Sequence, residues 1–357
     1  MKRPDLPFSP HQVQRILVIK FRHHGDMLLT TPVIRSLKAA FPEAKIDVLM
    51  YEETRAILAC HPDINQIYAI DRNWKKQGLR YQLAQEWSLL KQLRKQHYDI
   101  VLNLADQWRS AIISRFTNAP ARLGFDIPKR RGVLWRFCHT DLVSTENHSM
   151  LHTVEQNLSL LAPLQLATLD CTVGMYYSDS DHQQVVRRLS GVTKYIVVQP
   201  TSRWFFKCWS ESKFAAVLEA LREEGHVIVL TSGPDKKELA MVENIASRLS
   251  SQDNIVSLAG QLTLNQLAAL IDHASLFIGV DSVPMHMAAA LQTPCIALFG
   301  PSKLVFWRPW QVKGEVIWAG DFAPLPDPDS VDTKTSERYL DAIPVETVVD
   351  SARRLLA

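Results

Sequence analysis

Leu276-Phe277-Ile278-Gly279-Val280 runs into Asp281-Ser282-Val283-Pro284-Met285-His286. Met287-Ala288-Ala289-Ala290-Leu291 follows, and Pro294-Cys295-Ile296-Ala297-Leu298-Phe299-Gly300-Pro301 closes the stretch. The first run is short, apolar and rich in β-formers, so it reads as a buried strand. The middle opens a helix: Asp281 or Ser282 can cap it, and Pro284 suits its first position. The last run is a second buried strand ending in a Gly-Pro turn. A strand–helix–strand unit of a parallel sheet follows. In open α/β sheets ligands collect at the carboxyl ends of strands. A helix N-terminus there offers free N–H groups and a positive dipole end to a phosphate. Asp281 would repel that phosphate, so its presence is better explained by hydroxyls that donate to it, such as those of a sugar. A plainer alternative stays open: Asp281 caps the helix and His286 is a core histidine.

The same alternation extends outward through the chain. Strands are expected over 15–20, 45–50, 64–70, 99–104 and 122–125, with helices over 27–40, 82–97, 107–117 and 148–161. Residues 163–180 lose helical periodicity and read as a crossing linker, with room for one strand. A second series then places strands over 195–199, 227–231, 255–258, 276–280 and 295–299. Its helices fall near 211–224, 235–250, 264–273 and 284–291. The proline-rich segment 318–332 is a loop, and 344–356 is a final helix. The fold class is α/β, with two doubly wound parallel-sheet domains.

Composition narrows the function classes. The chain has 357 residues, enough for about two domains. A net charge of +3 is too mild to argue for nucleic acid but allows a local basic face. Cys60, Cys138, Cys171, Cys208 and Cys295 are scattered with no CxxC pair. Neither a zinc site nor a disulfide framework is expected, and a reducing cytoplasmic compartment fits. The first seven residues lack the apolar core of a signal peptide. No run is long enough to span a bilayer, so membrane association is expected to be peripheral.

Several loops carry candidate chemistry. Phe21 to Asp26, after the first strand, lacks GxGxxG, which disfavours a dinucleotide-dependent redox enzyme. It offers Lys20, Arg22, His23 and His24 to anions, while Asp26 is either a helix cap or a general base. Thr201, Ser202, Arg203 and Lys207 follow a strand of the second half and suit a pyrophosphate, or form an ordinary polar turn. Asp235 to Glu238 can take ribose hydroxyls or simply complement a helix dipole. Small residues near Leu258 allow an adenine edge to meet the backbone. Arg122, Lys129, Arg130 and Arg131 are further cations of the first half.

Strand–xxxxGD–helix with Thr30-Thr31-Pro32, S-L-A-G-x-L-x-L-x-Q-L over 257–267, and G-x-D-S-x-x-x-H-x-A-A-A over 279–290 followed by P-x-I-A-L-F-G-P together resemble the ADP-heptose:lipopolysaccharide heptosyltransferases. The resemblance covers essentially the whole chain. It implies a GT-B architecture of two Rossmann-like domains facing a cleft: 1–175 for the acceptor, 176–335 for the nucleotide-sugar, and 336–357 as a helix returning to the first domain. It implies inverting heptosyl transfer from ADP-heptose to the lipopolysaccharide inner core at the inner face of the cytoplasmic membrane, with neither metal nor cofactor. The family's catalytic aspartate falls on Asp26. Its donor residues fall on Thr201, Ser202, Lys207, Glu238, Leu258, Asp281 and His286. Its early strand-end lysine falls on Lys20. With that lysine, Arg22, His23, His24, Arg122 and Arg130 are available to a phosphorylated acceptor. Two departures stand out. Val283-Pro284 follows Asp281-Ser282 where members often carry glycine, and the loop to Lys207 is longer, with Trp204, Phe205 and Phe206. The competing readings are another nucleotide-sugar enzyme, such as a UDP-sugar transferase or epimerase, and a non-catalytic nucleotide-sugar regulator.

Overall fold

The structure is a computed structural model that describes residues 12–357. The segment read above for a signal peptide lies outside the described residues. The chain divides into two units between Gly174 and Met175.

In the first unit the strands are β1 (Arg15–Ile19), β2 (Lys45–Tyr51), β3 (Ile64–Ile70), β4 (Ile100–Asn103), β5 (Ala121–Asp126) and β6 (Asp141–Ser144). They form one parallel sheet in the order β3-β2-β1-β4-β5-β6. The helices are α1 (His24–Leu28), α2 (Thr31–Ala40), α3 (Leu79–Arg94), α4 (Trp108–Thr117), α5 (Val133–Cys138) and α6 (Thr153–Ser159). Ile16, Leu17, Val18 and Ile19 of β1 are all buried, as a central strand covered on both faces requires. Asp47 of β2 is buried as well, and accepts from Tyr98 Oη at 2.7 Å and Asn65 Nδ2 at 2.7 Å. It is a structural carboxylate whose partners repay its desolvation.

In the second unit β7 (Ile196–Gln199), β8 (Ile228–Leu230), β9 (Ile255–Ser257), β10 (Leu276–Val280), β11 (Cys295–Phe299) and β12 (Gly314–Trp318) pair in parallel as β12-β11-β10-β7-β8-β9. Its helices are α7 (Asp179–Leu189), α8 (Glu211–Glu223), α9 (Lys236–Ala246), α10 (Leu264–Asp272), α11 (Val283–Ala290), α12 (Leu304–Trp307) and α13 (Val345–Leu356). Read from its first strand outward, the order matches that of the first sheet. The strand direction of travel therefore reverses beside β1 and β4 in one unit and beside β7 and β10 in the other. These are the crevices where such sheets bind ligands. Leu276, Phe277, Ile278 and Val280 of β10 are wholly buried, each worth roughly 1.5–3 kcal/mol of apolar transfer.

Several elements differ from the sequence expectations. The segment read as a linker ends in α7, which Ser178 and Asp181 cap reciprocally. The edge strands β6 and β12 are additional. At the start of β12, a Cβ on Gly314 would sit 2.1 Å from the Cys295 carbonyl oxygen, so only glycine lets the strands approach. The helix expected from 148 begins at Thr153, because His152 and Glu155 form a capping box there. Finally, α13 joins the core of the second unit. It packs on α8 and on β10, β11 and β12. Val348, Val349 and Ala352 enter the second unit's core, and Glu315 of β12 holds Arg354 at 2.7 Å and Ser351 at 2.5 Å.

Candidate active site

In the first unit the chain leaves β1 at Lys20 and enters α1. Lys20 is buried, and its Nζ donates to Asn157 Oδ1 at 3.0 Å. Asn157 is fixed in turn by its Nδ2 donating to the Leu29 carbonyl at 2.9 Å. Burial lowers the Lys20 pKa from 10.5 to about 8, and the neighbouring Asp26 carboxylate acts against that fall. Asp26 stands in the first turn of α1, whose cap position is His23, not Asp26. Its carbonyl accepts from Thr30 Oγ1 at 2.8 Å. Its carboxylate makes no hydrogen bond or ion pair to any described residue, and the side chain is half-buried. Of the two sequence readings, helix cap or free base, the geometry leaves the carboxylate uncommitted.

Around it, Arg22 pairs with Asp106 at 2.9 Å, and Arg130 Nε donates to the Asp106 carbonyl at 2.9 Å. Both arginines thus converge on the loop after β4, on the far side of the same crevice. The Arg22 pair is half-exposed and so contributes little stability. His24 Nε2 meets the Glu53 carbonyl at 2.8 Å, and burial lowers its pKa. His23 is exposed. Arg122 does not join this group. It sits beside Val101 near the start of β5, and its guanidinium is spent on the Ala119 and Cys138 carbonyls. It ties together the opposite end of the sheet.

The second unit's crevice is more heavily bonded. Thr231 Oγ1 donates to Gln199 Oε1 at 2.7 Å, and Gln199 Nε2 to Thr201 Oγ1 at 2.8 Å. Thr201 Oγ1 then donates to Glu238 Oε2 at 2.6 Å, which also accepts the Gly233 N–H at 3.0 Å. A side chain at Gly233 would stand 3.1 Å from both Glu238 oxygens, so the glycine makes room for the carboxylate. Asp235 is spent as the cap of α9, accepting from the Lys237 N–H at 2.9 Å. Glu238 Oε1 makes no hydrogen bond to a described residue. Leu258 is buried, and its N–H donates to the Leu230 carbonyl at 2.9 Å, which fixes the turn after β9.

Asp281 does not cap α11, nor does Ser282, whose Oγ donates to the Val280 carbonyl at 3.2 Å. Instead Asp281 Oδ2 accepts from Lys207 Nζ at 2.5 Å and from Ser302 Oγ at 2.6 Å. Both members of the ion pair are largely buried. Lys207 also lies 5.2 Å from the Trp204 ring centroid. Ser202 Oγ reaches the Asp281 carbonyl at 3.5 Å. His286 is buried, with Trp307 set edge-to-face at 6.3 Å. Of the loop's extra aromatic residues Trp204 thus lies against the lysine, and the first-turn N–H groups of α11 are left uncapped by side chains. The sequence reading gave Lys207 and Asp281 to separate parts of a ligand, whereas here they hold each other.

Ser302, Gln199, Asp106 and Asn157 escaped the sequence reading. Ser302 directly follows Gly300-Pro301 at a strand end, a position that could have nominated it. Asn157 lies 137 residues from Lys20, and nothing local marks it.

The family model for glycosyltransferase family 9 (heptosyltransferase) matches residues 86–337. A lipopolysaccharide heptosyltransferase 3 from Escherichia coli is 45% identical over 94% of this chain and 97% of its own length. Among solved structures, a family 9 glycosyl transferase from Veillonella parvula superposes with a TM-score of 0.81 at 22% identity, covering 98% of this chain and 99% of that one. The E. coli ADP-heptose lps heptosyltransferase II gives 0.77 at 24%, covering 96% and 98%. At those identities the two structures bear on the fold, which is GT-B, and the sequence matches bear on kinship. With its two crevices and its uncommitted Asp26, this chain belongs to glycosyltransferase family 9, the heptosyltransferases.

Proposed function

We propose that this glycosyltransferase moves an L-glycero-D-manno-heptosyl unit from ADP-heptose to a heptose of the lipopolysaccharide inner core. The product is the branch heptose, and the anomeric carbon is inverted. The relative at 45% identity is named heptosyltransferase 3, which supports the choice of branch heptose. The carrying observation is the Asp26 carboxylate, placed at the β1 strand end and spent on no other described residue.

The acceptor hydroxyl attacks the anomeric carbon as the bond to ADP breaks through an oxocarbenium-like state. Its proton passes to Asp26. Carboxylates in water are weak bases, with pKa values of about 4. Such a base suffices when proton transfer is late and the attacking oxygen has already become acidic. Lys20 keeps positive charge beside Asp26, and Arg22 and Arg130 stand ready for acceptor phosphates. In the second unit Glu238 takes the ribose hydroxyls through Oε1. Lys207, Arg203 and the uncapped N–H groups of α11 meet the departing diphosphate. Asp281 and His286 hold the sugar. Because the acceptor is lipid-borne, the enzyme works peripherally at the inner face of the cytoplasmic membrane.

Mass spectrometry of lipopolysaccharide core from cells lacking the gene tests this reading. Loss of one branch heptose is the expected result, and loss of everything beyond the first or second heptose would reassign the acceptor. Displacement of ADP-heptose by UDP as readily as by ADP would reject the donor.

A further inference from the structure

Helices α3, α4 and α5 of the first unit expose apolar side chains that neither packing nor transfer chemistry accounts for. Leu79, Leu83 and Trp87 repeat every four residues along α3, at 70%, 57% and 50% exposure. Trp87 meets Phe116 of α4 edge-on at 5.5 Å. Ile112 of α4 and Leu134 and Phe137 of α5 are each more than half exposed. Ile112, Phe116, Leu134 and Phe137 line one groove of about 460 Å³, with Arg94 and Arg115 in its wall. The surface is thus continuous across three helices, and larger than the scattered apolar residues a monomer ordinarily shows.

Its charge is as one-sided as its apolarity. The three helices carry Arg80, Lys91, Arg94, Arg109, Arg115 and Arg136 against the single acid Glu86. That acid is already paired with Arg109 at 2.6 Å. The remaining excess exceeds the +3 of the whole chain. The cations lie over the aromatic rings: Lys91 over Trp87, Arg94 over Phe116, Arg115 over Phe137 and Arg130 over Trp108, at 4.8–5.8 Å. Apolar groups that can sink below a headgroup layer, with cations at their margins, match an anionic lipid surface. A second copy of the face is a poor occupant, because an isologous contact would set six cations against six with only paired acids.

We propose that the α3–α4–α5 face is where the protein sits on an anionic lipid bilayer. This rests on the reading that the acceptor is membrane-borne. It also explains a placement: α4 begins at Trp108, next to the Asp106 loop on which Arg22 and Arg130 converge. A lipid-anchored saccharide rising beside α4 arrives at the first unit's crevice.

The test is flotation of the full chain with vesicles of phosphatidylethanolamine and phosphatidylglycerol, and with vesicles of phosphatidylcholine alone. Wild type is expected to float with the first and much less with the second. The exposed triple variant Ile112→Ser, Leu134→Ser, Phe137→Ser should lose at least about tenfold in partitioning. It should keep its melting temperature, its ADP-heptose affinity and its rate on detergent-solubilised acceptor. A second variant, Arg94→Glu with Arg115→Glu, should lose binding to the anionic vesicles alone, and decides the matter where the triple variant folds poorly. Wild type that ignores anionic vesicles overturns the proposal, as do variants that bind like wild type. A wild-type dimer dissolved by the triple variant without change in flotation overturns it in favour of self-association. Intact ADP-heptose binding in these cases leaves the proposed transfer reaction standing.

Discussion

The two units share a strand order but prepare their crevices in opposite ways. In the second, the acids and their neighbours are bonded to one another: Thr201 to Glu238, and Lys207 and Ser302 to Asp281. In the first, the Asp26 carboxylate bonds to no described residue, while the adjacent Lys20 is buried and held by Asn157. A crevice that must hold a fixed nucleotide-sugar gains from preorganisation, because ordering its side chains costs nothing at the moment of binding. A proton acceptor has the reverse requirement. A lone pair already committed to a protein donor is unavailable to the substrate.

Asp26→Asn breaks the comparison most severely. Asparagine keeps the size and the helix-start geometry but cannot take the proton. Turnover should fall a hundredfold to ten-thousandfold, about 3–5 kcal/mol, with melting and ADP-heptose affinity unchanged. A purified mutant that folds, binds donor and retains most of its rate removes Asp26 from the mechanism.

Lys20 tests the cost of the first crevice. With its pKa lowered to about 8 from 10.5, the folded state binds fewer protons than the unfolded state between those values. Stability contributed by this group therefore rises as pH rises from 8 to 10.5, by about 3 kcal/mol at 1.36 kcal/mol per pH unit. In urea unfolding, wild type minus Lys20→Met should show that rise. A difference that stays flat across the window means that Lys20 is not desolvated as described.

Asp281→Ala separates the halves of the donor. It removes the proposed sugar contact, worth about 1.5–3 kcal/mol, and frees Lys207 from its counter-charge. Calorimetry should find ADP-heptose weakened and ADP unchanged or tighter. Equal weakening of both would make Asp281 a scaffold for the diphosphate site alone.

Thr201→Val is the mildest change. The hydroxyl donates to Glu238 and not outward, so its loss should lower stability by about 1 kcal/mol with ADP affinity within about twofold of wild type, a limit set by the absence of a direct contact. A tenfold loss of ADP affinity would return Thr201 to the diphosphate, as its position in the sequence suggested.

Much of this was legible beforehand because buried parallel strands write themselves as apolar runs. The span 64–70 is β3 to the residue, and β10 with β11 anchored the whole reading. Elements that escaped lie at edges or carry little apolar signal. Only Val185 and Leu189 of α7 are buried, although its Ser178–Asp181 capping box was there to be read. β6 is half-exposed, and β12 opens on Gly314 and Glu315. The amphipathic pattern of α13 announced a packed helix without saying on what. Site residues at strand ends followed from topology, so Lys20, Asp26, Thr201 and Asp281 were accessible. Arg122 was nominated by residue type alone, and its level in β5 spends it on backbone carbonyls. The pairing of Lys207 with Asp281, 74 residues apart, has no counterpart in sequence spacing.

The docking of α13 onto its own unit has a consequence for biosynthesis. The cluster built on Leu17, Ile19 and Val101 draws on the first unit, and every strand of the first sheet precedes residue 145. During translation the first unit can therefore close its sheet while the second is still being made. The second unit has the opposite timetable. Its core takes in Val348, Val349 and Ala352, so it cannot finish until the chain's last helix has left the ribosome. A stop codon placed just before α13 should yield a protein whose first unit still melts cooperatively and resists protease while the second is digested. Cooperative survival of both units would show that the last helix is dispensable.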